Sequence, residues 1–443
     1  MNLAGLHGAM TDAEAGALAL AALAGLAPTW LFLRGRSLSP FPLIALTGLF
    51  YVVFFALPPF FVDLTWWTVG FYPRESGMGI GIEIDRIGPV AALIVLFGVM
   101  ALMVGYLLVA ALLPEAAPRL SLPRAPAPWI DAMAWLFAAA FVVFLYLPPL
   151  RDQSMVAQAM LPLGYVALGW LTLVACRGRL TRLGIIVLAC AVLPAIVAAH
   201  VRAGLVTPAI LLVVFLLTIF LVATRRVTGF VVASAVCAVL IFPAMKLSVL
   251  PQFGLRETTV EYSGNDPLSR ILRRIALTVT LEHVTRLTPG KIPFRQGGSF
   301  KNLLTNSVPR LIWPDKPREQ LGQWFGHEYR LLNPDDTGTS INLPWLIEFY
   351  INFGFPGVML GMATAGALLA LLEWAMLRSA AGELELIVGW SLLFPLTFQA
   401  SNVSLMLGGL PTQIVFVYAF VAALLAIMSR IAKKDAVTSD AVQ

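Results

Sequence analysis

Apolar runs about as long as a bilayer is thick recur along most of this chain. A helix that crosses hydrocarbon needs about 20 mostly apolar residues. Charge-free runs of that order stand at Gly88–Leu113, Gln153–Cys176, Ala203–Thr224, Val227–Met245 and Phe349–Leu372. Leu386–Ser429 holds 44 residues without a charge, more than one crossing uses, and its polar centre at Gln399–Ser404 predicts a turn between two spans. Counting Ala15–Leu33 and Leu183–Ala199, the pattern predicts eleven spans. Barrel strands use only about 10 alternating residues, so these lengths predict helices. The expected fold class is an all-α polytopic integral membrane protein of about 11 transmembrane helices with one large extracytoplasmic loop.

The pattern divides the chain into spans one to eight (1–247), a polar island (248–342), spans nine to eleven (343–431) and a short polar tail (432–443). Composition agrees: 59% of residues are hydrophobic and 12% charged, against about 25% charged in ordinary soluble domains. Lys and Arg concentrate in cytoplasmic loops. One set of alternate connections carries thirteen: Arg34, Arg36, Arg119, Arg124, Arg177, Arg179, Arg182, Arg225, Arg226, Arg378, Arg430, Lys433 and Lys434. The short loops of the other side carry four, namely Arg74, Arg86, Arg151 and Arg202. The first set is therefore expected inside and the island outside. The first span has Asp12 and Glu14 before it and no small-residue cleavage site, so a retained helix is expected rather than a signal peptide. The net charge of +6 follows largely from the loop bias and calls for no nucleic acid. Cys176, Cys190 and Cys237 show no disulfide or metal spacing, and the four histidines (His7, His200, His283, His327) are scattered, so no metal or cofactor is expected.

Inside the island, Pro267–Leu287 reads as an amphipathic helix capped by Asp266, with Arg270, Arg273 and Arg274 forming a basic face. That face suits either lipid headgroups or a polyanion. A Gly-rich turn follows at Phe294–Ser299, then Lys301–Val308. The two prolines of Trp313-Pro314-Asp315-Lys316-Pro317 force an extended, rigid turn.

Three sequence observations bear on chemistry. No Walker sequence or Gly-rich dinucleotide fingerprint is present. Arg202, Arg273, Arg274, Arg310, Lys316 and Arg318 crowd the outer side, and arginine forks match phosphate oxygens. Glu348 lies about one turn into the ninth span with Asn352 four residues on. An acid at the edge of hydrocarbon marks a functional site by default, as a general base or as an anchor paired with an island arginine. Gly354-Phe355-Pro356-Gly357 reads as a kink or as close helix packing.

The string Pro309-Arg310-x-Ile312-Trp313-Pro314-Asp315-Lys316-Pro317, the later Thr337-Gly338-x-Ser340, and Glu348-x-Tyr350-x-Asn352-Phe353-Gly354-x-x-Gly357 resemble bacterial O-antigen and repeat-unit polysaccharide polymerases of the Wzy type. The resemblance covers about 60 residues in detail, plus the plan of many spans and one large outer loop. It implies a glycosyltransferase of the bacterial inner membrane, its large loop periplasmic. Such an enzyme moves a glycan from undecaprenyl diphosphate onto another lipid-linked repeat unit, with a chain-length regulator protein as a possible partner and no cofactor. Carried over, Arg273 and Arg310 with Glu348 are the catalytic candidates. Arg274, Trp313, Lys316, Arg318, Ser340, Asn342, Tyr350 and Asn352 are the substrate-binding candidates. The related O-antigen ligases use an outer-loop His. Here Ser340-Ile341-Asn342 has none, which favours a polymerase over a ligase-like transferase. A flippase or exporter, the alternative of another class, predicts internal repeats and mid-span charges, and neither is seen.

Overall fold

A computed structural model describes residues 10–36, 40–60, 68–69, 82–84, 86–114, 121–147, 154–202, 206–227, 276–308, 313, 315–316, 320–332, 335–338 and 340–440. They are almost wholly helical. In chain order the helices are α1 (Asp12–Leu33), α2 (Leu43–Tyr51), α3 (Pro89–Leu112), α4 (Ala127–Tyr146), α5 (Ser154–Cys176), α6 (Arg182–Val187), α7 (Leu193–Arg202) and α8 (Val206–Thr224). After the island's start come α9 (Leu277–Leu287), α10 (Asn302–Ser307), α11 (Leu321–Glu328), α12 (Trp345–Glu373), α13 (Glu383–Leu393), α14 (Val403–Gly408) and α15 (Leu410–Asp440). One two-residue antiparallel pairing joins Thr68–Val69 to Ile82–Glu83.

Among the described residues, nine helices are long and apolar enough to cross a membrane. The chain is a multi-pass membrane protein. The first and sixth expected spans both form, the latter as α6 and α7 joined through a π-turn at Leu188–Val192. Most of the expected eighth span, Val227–Met245, lies outside the described residues. The expected tenth span is shorter than the charge-free run implied. α13 has 11 residues and ends in a 3-10 turn at Phe394–Thr397, before the predicted break that leads into α14 at Val403.

Lipid tails are as apolar as leucine, so helices in a bilayer are held by close contact and hydrogen bonds rather than by burial from water. α3 and α12 meet through glycine. A Cβ on Gly105 would run into the Ala363 carbonyl, and one on Gly366 into the Leu102 carbonyl.

Hydrogen bonds sort the helix ends into two groups. At one end the Thr278 hydroxyl donates to the Phe55 carbonyl, the Gly88 N–H donates to Glu282 Oε2 (2.9 Å), and the Thr412 hydroxyl donates to the Ser307 carbonyl (2.8 Å). At the other, the Tyr106 hydroxyl donates to Glu373 Oε1 (2.7 Å), the Leu122 N–H to Glu385 Oε1 (2.9 Å), and Arg177 pairs with Glu383 at 2.6 Å. The described island residues around 276–308 thus share an end with the starts of α3 and α12. The arginine-bearing connection after α5 sits at the opposite end.

The helix expected over Pro267–Leu287 is described from Leu277 to Leu287 only, and Arg270, Arg273 and Arg274 lie outside the described residues. The described part does not lie on a surface. Thr278, Val279, Leu281, Glu282, His283 and Val284 are buried. Glu282 is matched there by the Gly88 N–H and by Arg286 Nε at 2.7 Å, which makes its burial tolerable.

Candidate polar site at a broken helix

α12 is one helix by hydrogen bonding but is broken at Gly354, whose φ of 67° and ψ of −153° are not helical. That region of the map is essentially restricted to glycine. A Cβ there would also lie 2.9 Å from Phe294 Cζ. The sequence makes the break unavoidable two residues later as well, because Pro356 has no N–H to return to Asn352. The non-helical turn at Gly354 interrupts the helix beside it. Backbone carbonyls left without helical partners inside a span are not tolerated by hydrocarbon. The island supplies the donors: the Arg295 N–H reaches the Ile351 carbonyl at 2.9 Å and the Gln296 N–H reaches the Asn352 carbonyl at 3.1 Å. Segment 294–299 is therefore a strap hydrogen-bonded across the break. Of the two readings left open from sequence the kink occurs, with Gly357 packed across it on the Phe349 carbonyl and Phe353 of its own helix.

Glu348 lies one and a half turns before the break and is fully buried. Its Oε1 accepts the Ser299 hydroxyl at 2.6 Å and its Oε2 accepts the Val403 N–H at 2.7 Å. Ser299 Oγ in turn accepts from Asn352 Nδ2 at 2.8 Å, and the same amide donates to the Glu348 carbonyl at 2.7 Å. The Ser404 hydroxyl closes onto the Ser299 carbonyl at 3.0 Å, and Asn306 Nδ2 donates to the Ser404 carbonyl at 3.2 Å. One carboxylate thus ties together α12, the strap and the start of α14. Hydrogen bonds to an ionised acceptor are about twice as strong as neutral ones. Asn352 Oδ1 is buried with no hydrogen-bond partner among the described residues.

Beside this network the Arg295 guanidinium carbon lies over Trp324, 3.6 Å from the ring centroid. Its Nε is buried without a hydrogen-bond partner among the described residues. Burial lowers its proton affinity, and the charges of Glu328 and Glu348 work in the opposite direction. A second chain of bonds braces the outer face. The Tyr350 hydroxyl donates to the Thr288 carbonyl (3.0 Å), and Thr288 Oγ1 bonds the Tyr329 hydroxyl (2.7 Å). The Tyr329 carbonyl meets His283 Nε2 at 2.8 Å. Burial pushes the Tyr329 phenol up to about 12 and pulls His283 below its ordinary value.

Of the residues singled out from sequence, Glu348 and Asn352 come together in the network, and Tyr350 braces the same helix toward Thr288. Lys316 is buried and donates from Nζ to the carbonyls of Asn306 (3.3 Å) and Val308 (3.0 Å). It therefore joins the network through Asn306. Trp313 is 40% exposed. Ser340, packed on Gly322, and Asn342 are exposed. Arg273, Arg274, Arg310 and Arg318 lie outside the described residues. Sequence reasoning missed Arg295, Ser299, Trp324, Asn306 and Ser404. The Gly-rich turn that contains Arg295 and Ser299 was the available signal.

No protein-family model, curated protein or solved structure matches this chain.

Proposed function

We propose that the protein is a membrane glycosyltransferase that joins undecaprenyl-diphosphate-linked oligosaccharide repeat units into a polymer at the outer face of a bacterial inner membrane. The observation that carries this reading is a buried carboxylate near a guanidinium whose Nε has no hydrogen-bond partner among the described residues, at the lip of a broken span. Glu348 supplies a proton acceptor and Arg295 an anion contact, both within reach of a substrate whose lipid stays in the bilayer. Broken spans with polar groups at the break are a common way to place a binding site at membrane depth.

The reaction then runs as follows. The acceptor sugar hydroxyl attacks the anomeric carbon of the donor glycan, a new C–O bond forms, and the bond to the diphosphate oxygen breaks. The acceptor hydroxyl takes the position on Glu348 Oε1 that the Ser299 hydroxyl holds in the resting structure, and gives Glu348 its proton. The diphosphate leaves with the electron pair, its charge met by Arg295 together with Arg310, Arg273 and Arg274. Electrostatic stabilisation of this kind is usually the largest single contribution to such catalysis. Asn352 holds the Ser299 hydroxyl of the strap and Lys316 ties down the carbonyls of Asn306 and Val308, while Trp313 and Trp324 offer faces for sugar rings.

Deleting the gene in its host and resolving the surface glycan on a gel, with lipid-linked intermediates extracted alongside, tests this reading. Loss of the long-chain ladder with single repeat units still reaching the surface supports it. Full-length polymer stranded on undecaprenyl diphosphate points to a ligase, and repeat units held on the inner leaflet point to a flippase.

A further inference from the structure

A groove separate from the Glu348 network runs between α4, α5 and α15, with Met133, Phe137, Ala167, Leu425 and Met428 among its walls. It is open along one side, and every side chain that lines it is apolar or aromatic. Its α15 wall runs from Phe420 to Met428, about 12 Å at 1.5 Å per residue. One leaflet of a ~30 Å hydrocarbon core is about 15 Å deep, so the groove is as long as a single leaflet.

The groove ends in charge. Trp170, the last α5 residue on its wall, turns its indole N–H out to Asp131 Oδ1 at 2.8 Å. The Arg179 guanidinium lies 5.9 Å from the Trp170 ring centroid and 3.8 Å from Asp131 Oδ2. Arg177 pairs at 2.6 Å with Glu383, the residue before Leu384 of the groove wall. The two arginine side chains remain 51% and 40% exposed, and a guanidinium has five N–H donors, so both keep donors for a further ligand. This is the end of the bundle that carries most of the Lys and Arg of the connecting loops. Basic pockets between spans on that side take anionic lipid headgroups.

The geometry points to a binding site for an anionic glycerophospholipid: one acyl chain lies along the open groove and the phosphate meets Arg177 and Arg179. Glu383 and Asp131 each engage one of these guanidiniums, so any preference for an anionic headgroup over a zwitterionic one comes from the donors that the two arginines keep exposed. The assignment does not depend on the proposed polymerase activity.

Native mass spectrometry of the full chain, released after equilibration in vesicles of equal phosphatidylglycerol and phosphatidylethanolamine, tests it. Retention of phosphatidylglycerol over phosphatidylethanolamine is expected. The Arg177→Gln and Arg179→Gln changes should each cut that preference about fivefold, the weight of one interfacial cation. Ala134→Leu, a small change that narrows the groove, should lower retention of both lipids. Equal retention of the two lipids, or retention unmoved by the arginine changes, would overturn the assignment. So would a dimer whose formation Ala134→Leu abolishes, because a second copy would then be the occupant.

Discussion

Glu348 and Ser299 are 49 residues apart in sequence, yet the serine hydroxyl sits 2.6 Å from the glutamate Oε1. That contact fastens a loop of the polar island to the lip of a broken membrane helix. Removing it by Ser299→Ala takes a donor from a buried carboxylate and an acceptor from Asn352. The expected cost is about 1–3 kcal/mol. Thermal unfolding of the detergent-purified protein should show a lowered midpoint, with Ser299→Thr closer to the parent than Ser299→Ala.

Gly354→Ala should be worse tolerated than a typical change at a lipid-facing position. The backbone there is confined to glycine, and strain of this kind costs about 1–3 kcal/mol before any contact with Phe294 is counted. Protease sensitivity of the segment around Arg295, followed by mass spectrometry, should rise as the strap loses its seat. An unchanged cleavage pattern would argue that the strap does not need the break.

Arg295→Lys keeps the charge but loses the guanidinium contact with the Trp324 ring and the forked donors. On the proposed reading, the KM for the lipid-linked donor should rise about tenfold, within the range of a cation–π contact, while kcat changes less. Initial rates against donor concentration separate the two. Loss confined to kcat would move Arg295 from substrate binding to the chemical step.

His283 is buried with its proton affinity lowered, mainly by burial. The unfolded chain then binds a proton near pH 6.5 that the folded protein refuses. Folding stability from this group is fully present above that pH and is lost as pH falls toward the lower folded value. Unfolding midpoints measured from neutral to mildly acidic pH should decline on the acid side. His283→Gln should flatten that decline.

Much of the fold was legible because span length and charge placement are properties of contiguous residues. The charge-free run from Leu386 to Ser429 announced its break at Gln399–Ser404, and the chain does leave its helix there, between Thr397 and Val403. The Gly354-to-Gly357 segment offered the kink as one of two readings. What sequence did not show was which loop residues would satisfy the break. Arg295, Ser299 and Ser404 are single polar residues without periodicity, and their partners lie far along the chain: Ser404 bonds Ser299 across 105 positions. The inward packing of α9 was hidden for a related reason. The partner that lets Glu282 be buried, the Gly88 N–H, lies 194 positions away. The shortness of α13 was missed because absence of charge marks an apolar setting, not a helix long enough to cross it.

The most direct test is reconstitution. The purified protein in liposomes, given undecaprenyl-diphosphate-linked repeat units on the accessible face, should convert them to a ladder of longer lipid-linked glycans, releasing one undecaprenyl diphosphate for each linkage made. Glu348→Gln, which preserves the shape of the side chain, should bind the same substrate and make no ladder. A wild-type protein that leaves the repeat units unjoined, or moves them across the bilayer unchanged, would contradict the account.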